Sequence, residues 1–85
     1  MAEEKEIGKI THFYGQISVG IIELTDEIKL GDTVHIKGHT TDFTQTVDSM
    51  QIEHKNIEQA KPGDCIGMKV AQKVHPGDKV YKVIS

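Results

Sequence analysis

Along most of the chain apolar residues alternate with polar ones, and no stretch repeats its apolar residues at the spacing of an amphipathic helix. The period-two runs predict strands from Ile7 to Phe13, Gln16 to Leu24, Thr33 to Lys37, Phe43 to His54, Cys65 to Ala71 and Lys79 to Ile84. A short extended piece through Ile57 and Ala60 fits between the fourth and fifth. Two runs change phase. Ile17, Val19 and Ile21 take one face of the second strand while Ile22 and Leu24 take the other, which predicts a bulge or a strong twist near Gly20. A similar slip between Val47 and Met50 predicts a second bulge in the long fourth strand. Gly38 to Asp42 reads as a hairpin loop.

Turns punctuate these runs in a repeated form. Gly31-Asp32, Gly63-Asp64 and Gly77-Asp78 each follow a Leu or Pro and each lead into a strand. Pro62 and Pro76 preset φ for the first central turn position, and the following glycine can take the positive φ of a type II turn. The aspartate can then hydrogen-bond local backbone. Six strands with short connections and no helix to cover them predict closure of the sheet on itself, because closure removes exposed edges. The expected fold is therefore all-β, a small closed six-stranded antiparallel-rich β-barrel. Residues 1–6 are expected as a flexible acidic tail and residues 7–85 as the single domain.

Composition narrows the function classes. Lysines number 10 against 13 acids, arginine is absent, and the formal net charge is −3. Strong general nucleic-acid binding normally leans on clustered Lys and Arg, so duplex DNA is not an expected partner. The single Cys65 opens an apolar alternation, where a small buried thiol is the usual reading. No run reaches the length of a membrane span, and the acidic start is unlike a signal peptide. The expectation is a cytoplasmic monomer with no membrane contact.

With the strands placed, the order of motifs resembles domain II of the translational GTPases, the family of elongation factor Tu. The resemblance rests on Leu30-Gly31-Asp32-x-Val34, the strand carrying Val47, Met50 and Ile52, Ala60-x-Pro62-Gly63-Asp64-x-Ile66-Gly67, and Pro76-Gly77-Asp78-x-Val80. Ile36 to Gln45 and Met50 to His54 look like short stand-alone proteins described as translation elongation factor-like. A more distant likeness is to the C-terminal barrel of some collagenase-like peptidases. What the resemblance implies is a translation-factor type of barrel that contacts tRNA, ribosomal RNA or a translation-related protein. The GTPase itself is not expected, since no Gly-x-x-x-x-Gly-Lys-Ser/Thr loop occurs.

The sequence bears on three kinds of site. His35 and His39, two of five histidines, are four residues apart, about 13 Å on a strand, so they do not share a metal ion. No metal or other cofactor is expected. No serine sits on a strand-turn-helix elbow and Cys65 has no neighbouring activating group in sequence, so the chain is not expected to be an enzyme. A binding surface is the third. His35, Lys37 and His39 share the outward face of one strand, and Thr40, Thr41, Asp42, Phe43 and Gln45 continue it through the hairpin. Lysine supplies charge, the rings supply stacking faces, and the hydroxyls and amide supply hydrogen bonds suited to RNA ends or a peptide. The plainer reading is a solvated strand face with Phe43 tucked into the barrel end. The functional reading is a non-catalytic translation-associated binding module; the alternative is an accessory or protein-interaction domain that works with a separately encoded enzyme.

Overall fold

The computed structural model describes residues 3–84, and these form ten strands: β1 (Glu4–Tyr14), β2 (Val19–Leu24), β3 (Ile28–Lys29), β4 (Thr33–Lys37), β5 (Asp42–Thr46), β6 (Met50–Ile52), β7 (Lys55–Ile57), β8 (Gln59–Ala60), β9 (Cys65–Lys69) and β10 (Lys79–Val83). Eight of them make one sheet in the order β5-β4-β10-β1-β2-β9-β6-β7, and β3 pairs with β8 in a separate two-stranded ladder. Every pairing is antiparallel. No helix among the described residues is long and apolar enough to cross a membrane. The fold is all-β.

Alternation decides which side each residue takes. In β9 the buried residues are Ile66 and Met68; in β4 they are Val34 and Ile36; in β2 they are Gly20, Ile22 and Leu24. Together with Ile7, Ile10, Phe43, Met50 and Val80 they form one contiguous apolar core. Fully burying an aliphatic side chain of this size contributes about 1.5–3 kcal/mol, so this inner face is the main source of stability.

The three Gly-Asp turns are built alike. Gly31, Gly63 and Gly77 have φ of 91, 93 and 96°. In each turn the aspartate side chain accepts a hydrogen bond from the backbone N–H three residues earlier, at Lys29, Lys61 and His75, over 3.0, 3.2 and 2.9 Å. Each turn also holds a buried residue of a distant segment by two backbone bonds. Gly31 N–H donates to Val47 O while Val47 N–H donates to Asp32 O. Gly63 and Asp64 do the same to Leu24, and Gly77 and Asp78 to Ile10. The turns thereby tie distant segments to the core, using donors and acceptors that burial would otherwise leave unpaired.

Four expectations are corrected by this architecture. First, the sheet is not closed into a barrel: β5 and β7 are the two ends of its strand order and do not pair. The long strand expected from Phe43 to His54 is broken at Val47 because that residue gives its backbone to the Gly31 turn. β5 then pairs with β4, whereas β6 pairs with β9. Side-chain bonds stand in for a ladder at the gap: the Gln45 amide donates to Lys69 O over 2.8 Å and accepts from Ala71 N–H over 2.7 Å. Second, β2 carries no bulge near Gly20; it pairs with β9 in unbroken register from Val19 to Glu23. The slips lie in β1, between Glu6 and Gly8 and between Ile10 and His12. Third, Glu4, Lys5 and Glu6, expected in a tail, pair with Val83, Lys82 and Tyr81. Lys5 also reaches Asp26 in an ion pair. The expectations for Met1, Ala2 and Ser85 concern positions outside the described residues. Fourth, Cys65 is exposed, because it falls on the outer phase of β9 next to buried Ile66.

Candidate functional site

Strand alternation splits the surface expected over His35 to Gln45. His35, Lys37 and Asp42 face outward on β4 and β5, with Lys37 opposite Asp42. His39 and Thr40 are exposed in the connecting loop. Phe43 points inward, only 8% exposed and opposite Ile36. Gln45 shares its phase and is spent on the clasp to Lys69 and Ala71. Thr41 is buried, with its hydroxyl 3.2 Å from His75 Nδ1. A strand that begins at Asp42 sends alternate residues to opposite sides, so these eight residues cannot form one face.

Within the outward group the His35 imidazolium lies between two carboxylates. Nδ1–H donates to Glu4 over 2.8 Å and Nε2–H donates to Asp42. The Asp42 contact, aided by Glu4, raises the His35 pKa, because only the doubly protonated ring has a donor for each carboxylate. The same contact lowers the pKa of Asp42. The two carboxylates sit on opposite edges of the ring, which suits ion pairing and does not suit one metal ion. Among the described residues no group of three or more His, Cys, Asp or Glu side chains could hold a metal.

Two hollows lie elsewhere. A polar one of about 350 Å³ lies at β3 and β8, lined by Glu27, Lys29, Asp32, Lys61, Asp64 and Lys82 among others. Its aspartates are already committed to the turns, and Lys82 Nζ sits 3.7 Å from Asp32. It reads as a structural charge cluster.

The second is a cleft of about 440 Å³ on the outer side of β2 and β9, and no expectation drawn from the sequence included it. Val19 and Ile21 project there from β2, with Tyr14 and Ile17 at one end and Glu53 and His54 at the other. Tyr14 is 53% exposed and Ile17 62% exposed, high values for large apolar side chains lying next to one another in one depression. Gly67 keeps the floor open: a Cβ there would lie 3.2 Å from Val19 Cγ1. Among the described residues the non-glycine positions with positive φ are Ser18 at 55°, Glu53 at 51° and His54 at 66°. Glu53 and His54 line the cleft and Ser18 stands between Ile17 and Val19, which do. Glu53 and His54 are the two central residues of the tight β6–β7 hairpin closed by Ile52 and Lys55, and that turn requires positive φ at both.

The signal for this cleft was present in the sequence as the phase change in 16–24. A strand apolar on both faces is a strand covered on both faces. Here Gly20, Ile22 and Leu24 meet the core, while Val19 and Ile21 on the other face are half-buried in the cleft.

Comparison with known proteins fits this geometry into a different context from the one expected. No family model matches the chain. It is 47% identical over 77 residues to an uncharacterized protease of Methanocaldococcus jannaschii, covering 89% of this chain and 19% of that protein. It is 32% identical over 78 residues to a collagenase of Porphyromonas gingivalis, covering 89% of this chain and 22% of that one. The chain thus spans about a fifth of the length of these curated relatives. Among solved structures, the C-terminal domain of a protein provisionally assigned as a U32 peptidase, from Geobacillus thermoleovorans, superposes with a TM-score of 0.86 at 18% identity, covering 92% of this chain and 91% of that one. The selenomethionine variant of the same domain gives 0.85, covering 89% and 96%. At this identity the likeness concerns the fold alone. The expected translation-factor role, with its tRNA or ribosomal RNA contact, is overturned: the matching relatives carry protease and collagenase names, in keeping with the distant likeness to collagenase-like peptidases though not with its closed barrel.

Proposed function

We propose that this chain is a non-catalytic accessory domain that docks on the body of a collagenase-like peptidase through the cleft on β2 and β9. The observation that carries the reading is the apolar wall made by exposed Tyr14 and Ile17 at the β1–β2 turn together with half-buried Val19 and Ile21 of β2, a strand whose other face already fills the core. Large apolar and aromatic side chains grouped in one desolvatable depression are what protein interfaces use as anchors. Relatives named as proteases support the context, since most of their length lies outside the matched segment.

The non-catalytic part of the reading is supported by Cys65, the one thiol, which among the described residues has no imidazole within hydrogen-bond reach. A nucleophile without a positioned base stays weak.

The test is calorimetric titration of the chain into a collagenase-like peptidase from the organism that makes it. Saturable binding is expected, and the double variant Ile17→Ser, Val19→Ser should bind about tenfold or more weakly, each lost anchor being worth roughly 1–2 kcal/mol. Equal affinity of the double variant would remove the cleft from the interface. Absence of binding would remove the docking role.

A further inference from the structure

The outer face of the sheet carries a second feature, independent of the cleft. Residues aligned across adjacent strands run Asp42, Lys37, Lys79, Lys9, Glu23 and Cys65, through β5, β4, β10, β1, β2 and β9. Three lysines therefore stand side by side at the centre of the sheet, all exposed. Directly opposed like charges on neighbouring strands destabilise a sheet. The sequence holds lysine at all three places even though the chain has a net charge of −3.

Nothing within the described residues neutralises the row by contact. Lys9, Lys37 and Lys79 make no ion pair, although Glu23 and Asp42 stand at the two ends. At one end the Asp42 carboxylate is bonded to His35 Nε2–H and acts on Lys37 only through space. The neighbouring row offers His35 and Tyr81, whose ring centroids are 6.3 Å apart, as a half-buried floor beside the lysines.

We propose that the Lys9–Lys79–Lys37 row is a binding site for an extended acidic peptide segment, with carboxylates at alternate positions. Strands lie about 4.8 Å apart, so the row spans roughly 10 Å from first to last. Alternate side chains of an extended peptide lie about 6.6–6.8 Å apart, so two carboxylates fall short of the row and three span about 13 Å, differences of roughly 3 Å that flexible lysine stems take up. The carboxylates of Glu23 and Asp42 bound the row on both sides and repel charge that continues past it. A short acidic segment fits such a bounded site, whereas a polyanion with a charge at every repeat does not. The absence of arginine agrees, since compact ammonium groups bind carboxylates as point charges without demanding bidentate geometry.

The test uses a fluorescein-labelled peptide, Gly-Glu-Thr-Glu-Thr-Glu-Gly, read by fluorescence anisotropy against the intact chain. Saturable binding that weakens as salt is raised is expected. The triple variant Lys9→Gln, Lys37→Gln, Lys79→Gln should lose about tenfold or more in affinity, as should the peptide with glutamine in place of glutamate. The same variant should melt at an equal or higher temperature, because relieving opposed like charges does not destabilise the sheet. That second readout separates loss of the site from loss of the fold. Unchanged affinity in the folded triple variant would overturn the proposal, as would equal binding of the glutamine peptide. Tighter binding of a charge-matched single-stranded RNA would overturn the peptide assignment.

Discussion

Single residues show the economy of the structure most sharply where two segments approach closely. At Gly38, a Cβ would lie 1.9 Å from Asp78 Oδ1 and 2.5 Å from its Cγ. Asp78 is buried and its carboxylate accepts the His75 N–H at 2.9 Å. Gly38→Ala must therefore displace a buried, bonded carboxylate, and a loss of about 1–3 kcal/mol is expected by urea denaturation. A midpoint equal to that of the unsubstituted protein would show that the turn yields freely. His35 makes a pH-dependent contribution of the opposite kind. Its pKa is raised above the ordinary 6.5, so its stabilisation is fully present below about 6.5 and is lost as pH rises through the raised value. Asp42 is lowered below its ordinary 3.8, so its share is present above 3.8 and is lost as pH falls through the lowered value. The melting-temperature difference between the protein and His35→Gln should accordingly be largest in the window between 3.8 and 6.5 and shrink toward alkaline pH. A difference independent of pH would place the stabilising role of His35 in packing alone.

Elements differ in how openly the sequence announces them, and the difference has a physical source. β4 and β9 are clean alternations with one face in the core, so their inward residues can be read directly. β2 is harder because it is apolar on both faces, and a phase change in one strand looks the same as a second buried face. The bulges themselves sit in β1, where the only mark in the sequence is the odd spacing of Ile7 and Ile10, both of which reach the core. The break between β5 and β6 depends on Val47 bonding a turn 16 residues earlier, a pairing that no local pattern encodes. For the same reason the surface expected over 35–45 dissolved: where β5 starts decides which side Phe43 and Gln45 take, and boundaries are weakly written in sequence. Gln45 offers a direct test of how the sheet gap is held. Gln45→Ala removes both bonds to the Lys69–Ala71 segment and should cost about 1 kcal/mol, together with faster amide exchange at Ala71. Unaltered exchange there would mean that the gap is held by packing.

On the scale of the whole molecule, one inner face builds the core and the outer face carries two unsatisfied features, an apolar cleft and a row of lysines. All-β character was legible because alternation and turn chemistry agree throughout the chain. Closure was not, since a sheet that nearly meets itself and one that pairs have the same strand pattern; only the hydrogen-bond partners of residues 45–47 distinguish them. Function was least legible, because the turn motifs that resemble translation factors specify backbone geometry, and backbone geometry is shared by proteins of unrelated activity. The docking role rests instead on side chains facing away from the core.

Amide NMR of the labelled chain, recorded as a collagenase-like peptidase from the same organism is added, tests that role most directly. The account predicts shifts or broadening concentrated at Tyr14, Ile17, Val19, Ile21 and Gly67, with core amides such as Val34 and Ile36 little affected. Perturbations elsewhere on the sheet, with those five residues unmoved at saturation, would contradict it.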